Sequence, residues 1–277
     1  MRKTFRAAGR IAAVCLAAAL VVLCSGCESA KEEINLSEKV LTHIVVGSDN
    51  YPPYNYEDAD GKPTGIDVEL AKEAFARIGY EPEFRYINWE EKKELVENGN
   101  IDCIWGSYSI EGRENLYRWT SPYMKSYQVV AVRKDSDIYT LADLEGKSVA
   151  VQSTTKPEEI LLSHTDARIP QVKEVFSLQN RELIYTFLSK GYADAIAAHK
   201  TAILQCMKDY DLEFRILDEP LLTVGLGVAF AKNDTRGIEK KLSDAFLKMR
   251  QDGSIQKIIG KYLEHPEEYL EGIADEK

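Results

Sequence analysis

Few residue spacings in this chain advertise catalysis or metal chemistry. Gly146-Lys147-Ser148 imitates the end of a phosphate-binding loop, but the glycine that such a loop needs five positions earlier is Leu141. The segment also leads into a strand rather than a helix. Gly225-Leu226-Gly227 lacks the third glycine of a dinucleotide loop, where Phe230 stands. His43, His164, His199 and His265 have no metal-ligand spacing, and there is no Cys-x-x-Cys. No Gly-x-Ser-x-Gly elbow presents a nucleophile. The reading is a chain without cofactor or metal, and nothing in it selects a catalytic group.

The N-terminus carries a different chemistry. Arg2, Lys3, Arg6 and Arg10 form a basic stretch, and Ile11 to Cys24 follow without a charge. This is the layout of a secretory signal peptide, too short to span a bilayer as a helix. Leu23-Cys24-Ser25-Gly26-Cys27 resembles a bacterial lipobox, with Cys27 as the residue that receives lipid and Cys24 where leucine is usual. The expectation is a signal peptide over 1–26, lipidation at Cys27, stable anchoring by two acyl chains, and a polar tether over 27–39. Losing the four basic residues of the leader takes the net charge from −10 to −14. Cys103 and Cys206 read as small buried residues rather than a bridge.

The elements that must position any site follow from patterning. At 277 residues the chain suits one large or two modest domains. Hydrophobic residues make up 44% and charged residues 29%, which argues for a folded protein and against wholesale disorder or many membrane spans. The acidic balance offers no footprint for nucleic acid. Short apolar strands are expected at Ile44–Val46, Phe84–Ile87, Ile101–Trp105, Gln128–Val132, Ser148–Val151, Ala193–Ala198 and Val224–Phe230. Helices are expected at Ile66–Ile78, Glu90–Glu97, Arg181–Leu188, Thr201–Lys208, from Pro157, and around Ile238, Leu242, Phe246 and Met249. Strands alternating with helices mean an α/β fold with largely parallel pairing. Leu95-x₃-Gly99-x₂-Asp102-x-Ile104 is echoed by Leu188-x₂-Gly191-x₂-Asp194-x-Ile196, which hints at two similar lobes.

Four stretches together resemble the polar amino-acid family of bacterial solute-binding proteins, the extracytoplasmic receptors of ABC importers. They are Val45–Tyr56 with Gly61–Leu70, Asp102–Arg113 with Thr120–Tyr123, Leu144–Thr155, and Met249–Ser254 with Lys261-Tyr262. The resemblance implies a two-lobe, periplasmic-binding-protein-like (type II) fold with a hinged cleft. Lobe 1 would be 40–124 plus 228–277 and lobe 2 would be 125–227, with crossings near Tyr123–Tyr127 and Val224–Val228. It implies a monomeric, lipid-anchored extracytoplasmic receptor that captures an amino acid or related small carboxylate and hands it to a permease. It implies no enzyme. The alternatives are a dehydratase of prephenate type on the same fold and a sensory module; the latter would need a membrane helix and signalling domain after the lobes, and Lys277 ends the chain with neither.

The resemblance also implies the ligand-binding residues. Arg113 would grip the ligand's α-carboxylate through two parallel donors; the alternative is a surface arginine paired with Glu111 or Glu114. Ser153, Thr154 and Thr155 precede a helix whose free N–H groups suit a carboxylate, or else a threonine hydroxyl caps that helix. Tyr51, Tyr54, Trp89 and Tyr108 would line the cleft, or pack in the core. Asp49 matches a position that can touch the ligand's side chain. His199 stands where the family has an acid that pairs with the ligand's ammonium, Ile110 replaces the usual threonine, and Tyr108 a small hydroxyl residue.

Overall fold

The computed structural model describes residues 42–273. The expected signal peptide, tether and lipidated Cys27 lie outside the described residues. β1 (Thr42–Ser48) leads through the small hairpin of β2 (Tyr56–Glu57) and β3 (Pro63–Thr64) into α1 (Ile66–Ile78). The helix forms as its spacing predicts. Leu70, Ala71, Ala74 and Phe75 are buried on one face, and Gly79 closes it in the left-handed conformation. Gly65 opens it at φ 118°, where a Cβ would collide with the Tyr54 carbonyl, so only glycine fits.

β4 (Tyr80–Tyr86) starts directly after Gly79, four residues before the apolar pattern suggested. It is an edge strand, paired in parallel with β1 from Thr42 opposite Tyr80 to Ser48 opposite Tyr86. Its outward Glu81, Glu83 and Arg85 mask it in the sequence. A single 3₁₀ turn at Trp89–Glu91 precedes α2 (Lys92–Glu97), followed by β5 (Cys103–Ile104) and β6 (Arg118–Trp119). The chain then enters a second sheet with β7 (Met124–Arg133), longer at both ends than expected. There follow β8 (Ser148–Gln152), α3 (Lys156–Ser163), β9 (Glu174–Leu178), α4 (Glu182–Ser189), β10 (Ala195–His199), α5 (Lys200–Asp209), β11 (Phe214–Ile216) and β12 (Leu222–Leu226). β13 (Ala229–Phe230), α6 (Ile238–Gln251) and α7 (Ser254–Ile259) return to the first sheet side.

The fold is α/β in two lobes, each built on its own sheet. The first sheet runs β4-β1-β5-β13-β6 and the second β11-β7-β10-β8-β9, with β12 on β7. The expectation of largely parallel pairing needs correction. β1 with β4 and β5, and β8 with β9 and β10, are parallel, but β7 pairs antiparallel with β10, β11 and β12, and β13 pairs antiparallel with β5 and β6. The reason is topological: β7 and β13 are the strands that arrive from the other lobe, so each enters its sheet in the opposite direction. For the same reason Val224–Phe230 is two strands in two sheets, broken at Gly227. A Cβ on Gly227 would lie 2.8 Å from Ile110 Cδ1, which holds the two connections close.

Both sheets are covered on both faces, so their strands read as continuous apolar runs. In β7, Val130 and Val132 face one core while Val129 and Ala131 face the other; β8 and β10 alternate in step. In the first lobe, Phe75, Trp105, Tyr123 and Phe246 form an aromatic cluster, with Trp105 and Phe246 centroids 5.5 Å apart. The sequence echo is structural. Asp102 accepts the Val45 N–H at 2.8 Å, and Asp194 accepts the Ser148 N–H at 2.8 Å. In each lobe an aspartate ahead of a buried strand ties that strand's start to its parallel neighbour. Cys103 and Cys206 are free and buried.

Asp67, in the first turn of α1, is wholly buried beneath the first lobe's loops. It accepts the Ser107 N–H at 2.6 Å and the Tyr123 hydroxyl at 2.8 Å. Burial raises its pKa to about 7 despite those two hydrogen bonds. Ser107 is held at φ 47°, an uncommon conformation for serine. Asp67→Ala strands two buried donors and should cost about 2–4 kcal/mol in urea unfolding; Asp67→Asn, which keeps an acceptor and a donor, should cost less than half of that.

Candidate functional site

The carboxyl ends of the parallel strands of both sheets face one another, and there the loops after β1, β5, β8 and β10 gather the polar side chains, as crevices in α/β folds do. A cavity lies between the lobes. Trp89, Tyr108 and Arg113 line it from the first lobe; Thr154, Thr155 and His199 line it from the second. Asp49, Tyr51, Tyr54 and Ser153 stand around it rather than in its wall.

Arg113 is 8% exposed. Its guanidinium carbon sits 4.9 Å from the Tyr108 ring centroid, and its N–H groups reach the Ser109 carbonyl at 3.3 Å and the Thr154 carbonyl at 3.4 Å. The surface ion pair does not form. Glu111 is turned to the Gly225 N–H at 2.5 Å, and Glu114 to the Gly112 N–H at 3.0 Å. Arg113 is thus buried with only long bonds to carbonyls. Trp89 meets Tyr108 edge to face at 5.4 Å, and the Tyr108 hydroxyl donates to Tyr117 at 3.3 Å.

The turn before α3 is bent by Thr154 at φ 58°. Thr155 occupies the cap position but makes no side-chain cap; its hydroxyl donates to the Gln152 carbonyl at 2.6 Å. Glu158 instead takes the Thr154 N–H at 2.5 Å. Ser153 donates its hydroxyl across the lobes to Glu90 at 2.6 Å.

Asp49 bridges the lobes. One carboxylate oxygen accepts from Gln152 at 2.9 Å and from Arg181 at 3.2 and 3.0 Å, while the other is buried without a partner. Arg181 stacks on Tyr51, its guanidinium carbon 3.3 Å from the ring centroid. The Tyr51 hydroxyl accepts the backbone N–H of His199 at 3.2 Å. Tyr54 packs behind, its hydroxyl bonded to Ser126 at 3.0 Å and Thr201 at 2.6 Å.

Both ring nitrogens of His199 are engaged. Nδ1 lies 2.8 Å from the Ser126 hydroxyl and Nε2 lies 2.9 Å from the Gln128 amide nitrogen. An amide nitrogen only donates, so Nε2 accepts and Nδ1–H donates to Ser126. Burial, then the nearby Arg181, lowers the His199 pKa to about 3, so the ring is neutral at physiological pH.

Sequence reasoning missed Lys92, Arg181, Gln128, Gln152 and Ser107. Lys92 is buried; its ammonium donates to the Thr154 hydroxyl at 2.7 Å and the Trp89 carbonyl at 2.9 Å, over the Trp89 ring at 4.8 Å. Signals existed for some of them. Arg181 stands at the start of a helix, where the macrodipole disfavours a cation. Gln128 and Gln152 are polar residues inside apolar strands. Among the described residues no group of His, Cys, Asp or Glu is placed to hold a metal, and no helix is long and apolar enough to cross a membrane.

Residues 44–265 match the bacterial extracellular solute-binding proteins, family 3. The chain belongs to that family. Among its relatives, the histidine-binding periplasmic protein of Salmonella typhimurium is 32% identical over 231 residues, covering 80% of this chain and 87% of that protein. A probable amino-acid-binding protein of Bacillus subtilis, YxeM, is 25% identical over 253 residues, covering 90% of this chain and 93% of that one. Among solved structures, an ABC uptake transporter substrate-binding protein from Streptococcus pneumoniae with bound histidine superposes with a TM-score of 0.74 at 25% identity, covering 87% of this chain and 96% of that chain. This family 3 chain therefore has the two-lobe fold of its relatives, with the cavity between the lobes.

Lys92 gives the site a pH signature. Burial, then repulsion from Arg113, lowers its pKa to about 7, with Asp49 opposing. The unfolded chain, with lysine near its ordinary value of 10.5, binds more protons than the folded one between those values. Lys92 therefore makes stability rise as pH increases from 7 to 9. Urea unfolding at both pH values should show the rise in the wild type and its loss in Lys92→Met.

Proposed function

We propose that this chain is the solute receptor of an ABC importer, capturing a small carboxylate between its lobes and presenting it to a membrane permease. The observation that carries the reading is Arg113, a guanidinium buried in the interlobe cavity with no carboxylate partner among the described residues. Asp49, Tyr51, Trp89, Tyr108, Ser153, Thr154, Thr155 and His199 shape and support that cavity, with Tyr54 behind them. The family membership and the amino-acid-binding names of the relatives support an amino acid or close derivative as the solute class.

The protein acts as a binder and not as an enzyme. Catalysis needs an acid or base near its working pKa at the reacting atoms. His199 is neutral with both nitrogens engaged, and Lys92, whose pKa burial lowers to about 7, is spent on the Thr154 hydroxyl and the Trp89 carbonyl. Hydrogen bonds that join the lobes, such as Glu90 with Ser153 and Asp49 with Arg181, would form and break as the receptor closes and opens. The boundaries 40–124 plus 228–277 and 125–227 are the lobes of that motion, and the receptor works as a monomer tethered by lipid on Cys27.

Calorimetry on a panel of small carboxylates tests the reading. The tightest binder should lose about 2–5 kcal/mol of affinity in Arg113→Ala, while the solute-free melting temperature changes little. Equal affinity in wild type and variant would refute the grip. For the anchor, wild type should partition with membranes and carry lipid mass on its N-terminal peptide, and Cys27→Ala should do neither; identical partitioning of the two refutes it.

A further inference from the structure

The charged groups at the cavity can be accounted for one by one. Lys156 is neutralised by Glu159, its ammonium 2.7 Å from both carboxylate oxygens. Arg181 is neutralised by Asp49. His199 is uncharged, for the reasons given above. Arg113 meets carbonyl oxygens only, and Lys92, its pKa lowered to about 7, meets two carbonyls and a hydroxyl. No aspartate or glutamate is among the described residues lining the cavity. The surplus is positive, and Arg113 carries it.

The neutral polar atoms are as telling. The side-chain oxygens of Gln128 and Gln152 are buried without a hydrogen-bond partner, and so is the Ser107 hydroxyl. All three residues line the cavity. The amide nitrogens of both glutamines are turned away, Gln128 to His199 and Gln152 to Asp49. Each glutamine is left with an unpartnered oxygen that only accepts, and Ser107 with an unpartnered hydroxyl.

We propose that the cavity selects a net-anionic carboxylate whose other polar groups are neutral N–H or O–H donors, such as an N-acylated amino acid or a 2-hydroxy acid, over a zwitterionic or cationic amino acid. The inference rests on reading this cavity as the solute site. A carboxylate answers Arg113, and neutral donors answer the orphaned glutamine oxygens. A ligand ammonium would be buried beside a positive surplus with only neutral oxygens around it, and a buried charge without a counter-charge is costly. A cationic side chain adds a further charge to that surplus, and Asp49, although its second oxygen is unpartnered, already shares its charge with Arg181. The lowered pKa of Lys92 fits the same surplus.

Matched probes test this by calorimetry at pH 7.5. For a set of neutral side chains, the amino acid, its N-acetyl derivative and its 2-hydroxy analogue are compared, with L-arginine and L-histidine as cationic-side-chain probes. The tightest binder should be an N-acetyl or 2-hydroxy acid, at least about tenfold tighter than its amino parent, which corresponds to about 1.4 kcal/mol. L-arginine and L-histidine should bind weakest. Gln128→Glu, or Gln152→Glu should that variant unfold, places a carboxylate among the acceptors and should shift the preference toward the amino parent by a similar factor. An amino acid, L-arginine or L-histidine as the tightest wild-type ligand, with binding that depends on Arg113, overturns this inference and leaves the receptor reading standing. No binding by any probe overturns both.

Discussion

Arg113 is taken out of water between the two lobes, and no acidic side chain among the described residues comes to meet it. A buried guanidinium without an anion is a standing electrostatic cost. The surrounding structure concentrates that cost instead of relieving it. Glu111 and Glu114 are turned to backbone N–H groups, and Lys92, its pKa lowered in part by Arg113, is buried against the same turn at Thr154. A protein that keeps such a group at the meeting of two lobes has a site whose closed state is completed by something brought from outside. Every other feature of the cavity is arranged around that deficit.

The fold makes the arrangement possible by facing the carboxyl ends of two sheets toward each other. Strands arriving from the opposite lobe enter antiparallel, so β7 and β12 tie the lobes where the chain crosses, while the parallel strands carry the loops that supply side chains. Two anchoring systems hold those loops. Asp67 fixes Ser107 in an uncommon backbone conformation below the cavity, and the chain from Gln128 through His199 and Ser126 to Tyr54 and Thr201 braces the wall opposite. His199 is a strut in that chain. A histidine whose two nitrogens are spent and whose ring is neutral serves shape, and the charge that an acid would bring at its position is absent.

Much of the fold was legible because both sheets are covered on both faces, which writes buried strands as plain apolar runs. The helix from Ile66 to Ile78 and the paired signals at Asp102 and Asp194 were readable from spacing and glycine stops. β4 was misplaced because an edge strand alternates charges with apolar residues, and Val224–Phe230 looked like one strand because a change of sheet leaves no mark except Gly227. For the site, Arg113, Trp89, Tyr108, Thr154, Thr155 and His199 were named through family resemblance, and all six line the cavity. Lys92 and Arg181 were missed because long cations on charged helices look like solvent-facing residues. Their burial is decided by which surface the other lobe covers, a fact of tertiary structure that no local pattern carries.

A crystal structure of the protein with its tightest-binding solute is the most direct test of the account. The account predicts the solute within the interlobe cavity, its carboxylate within hydrogen-bond distance of both terminal nitrogens of Arg113. A solute bound elsewhere, or one whose carboxylate lies away from Arg113, would contradict it.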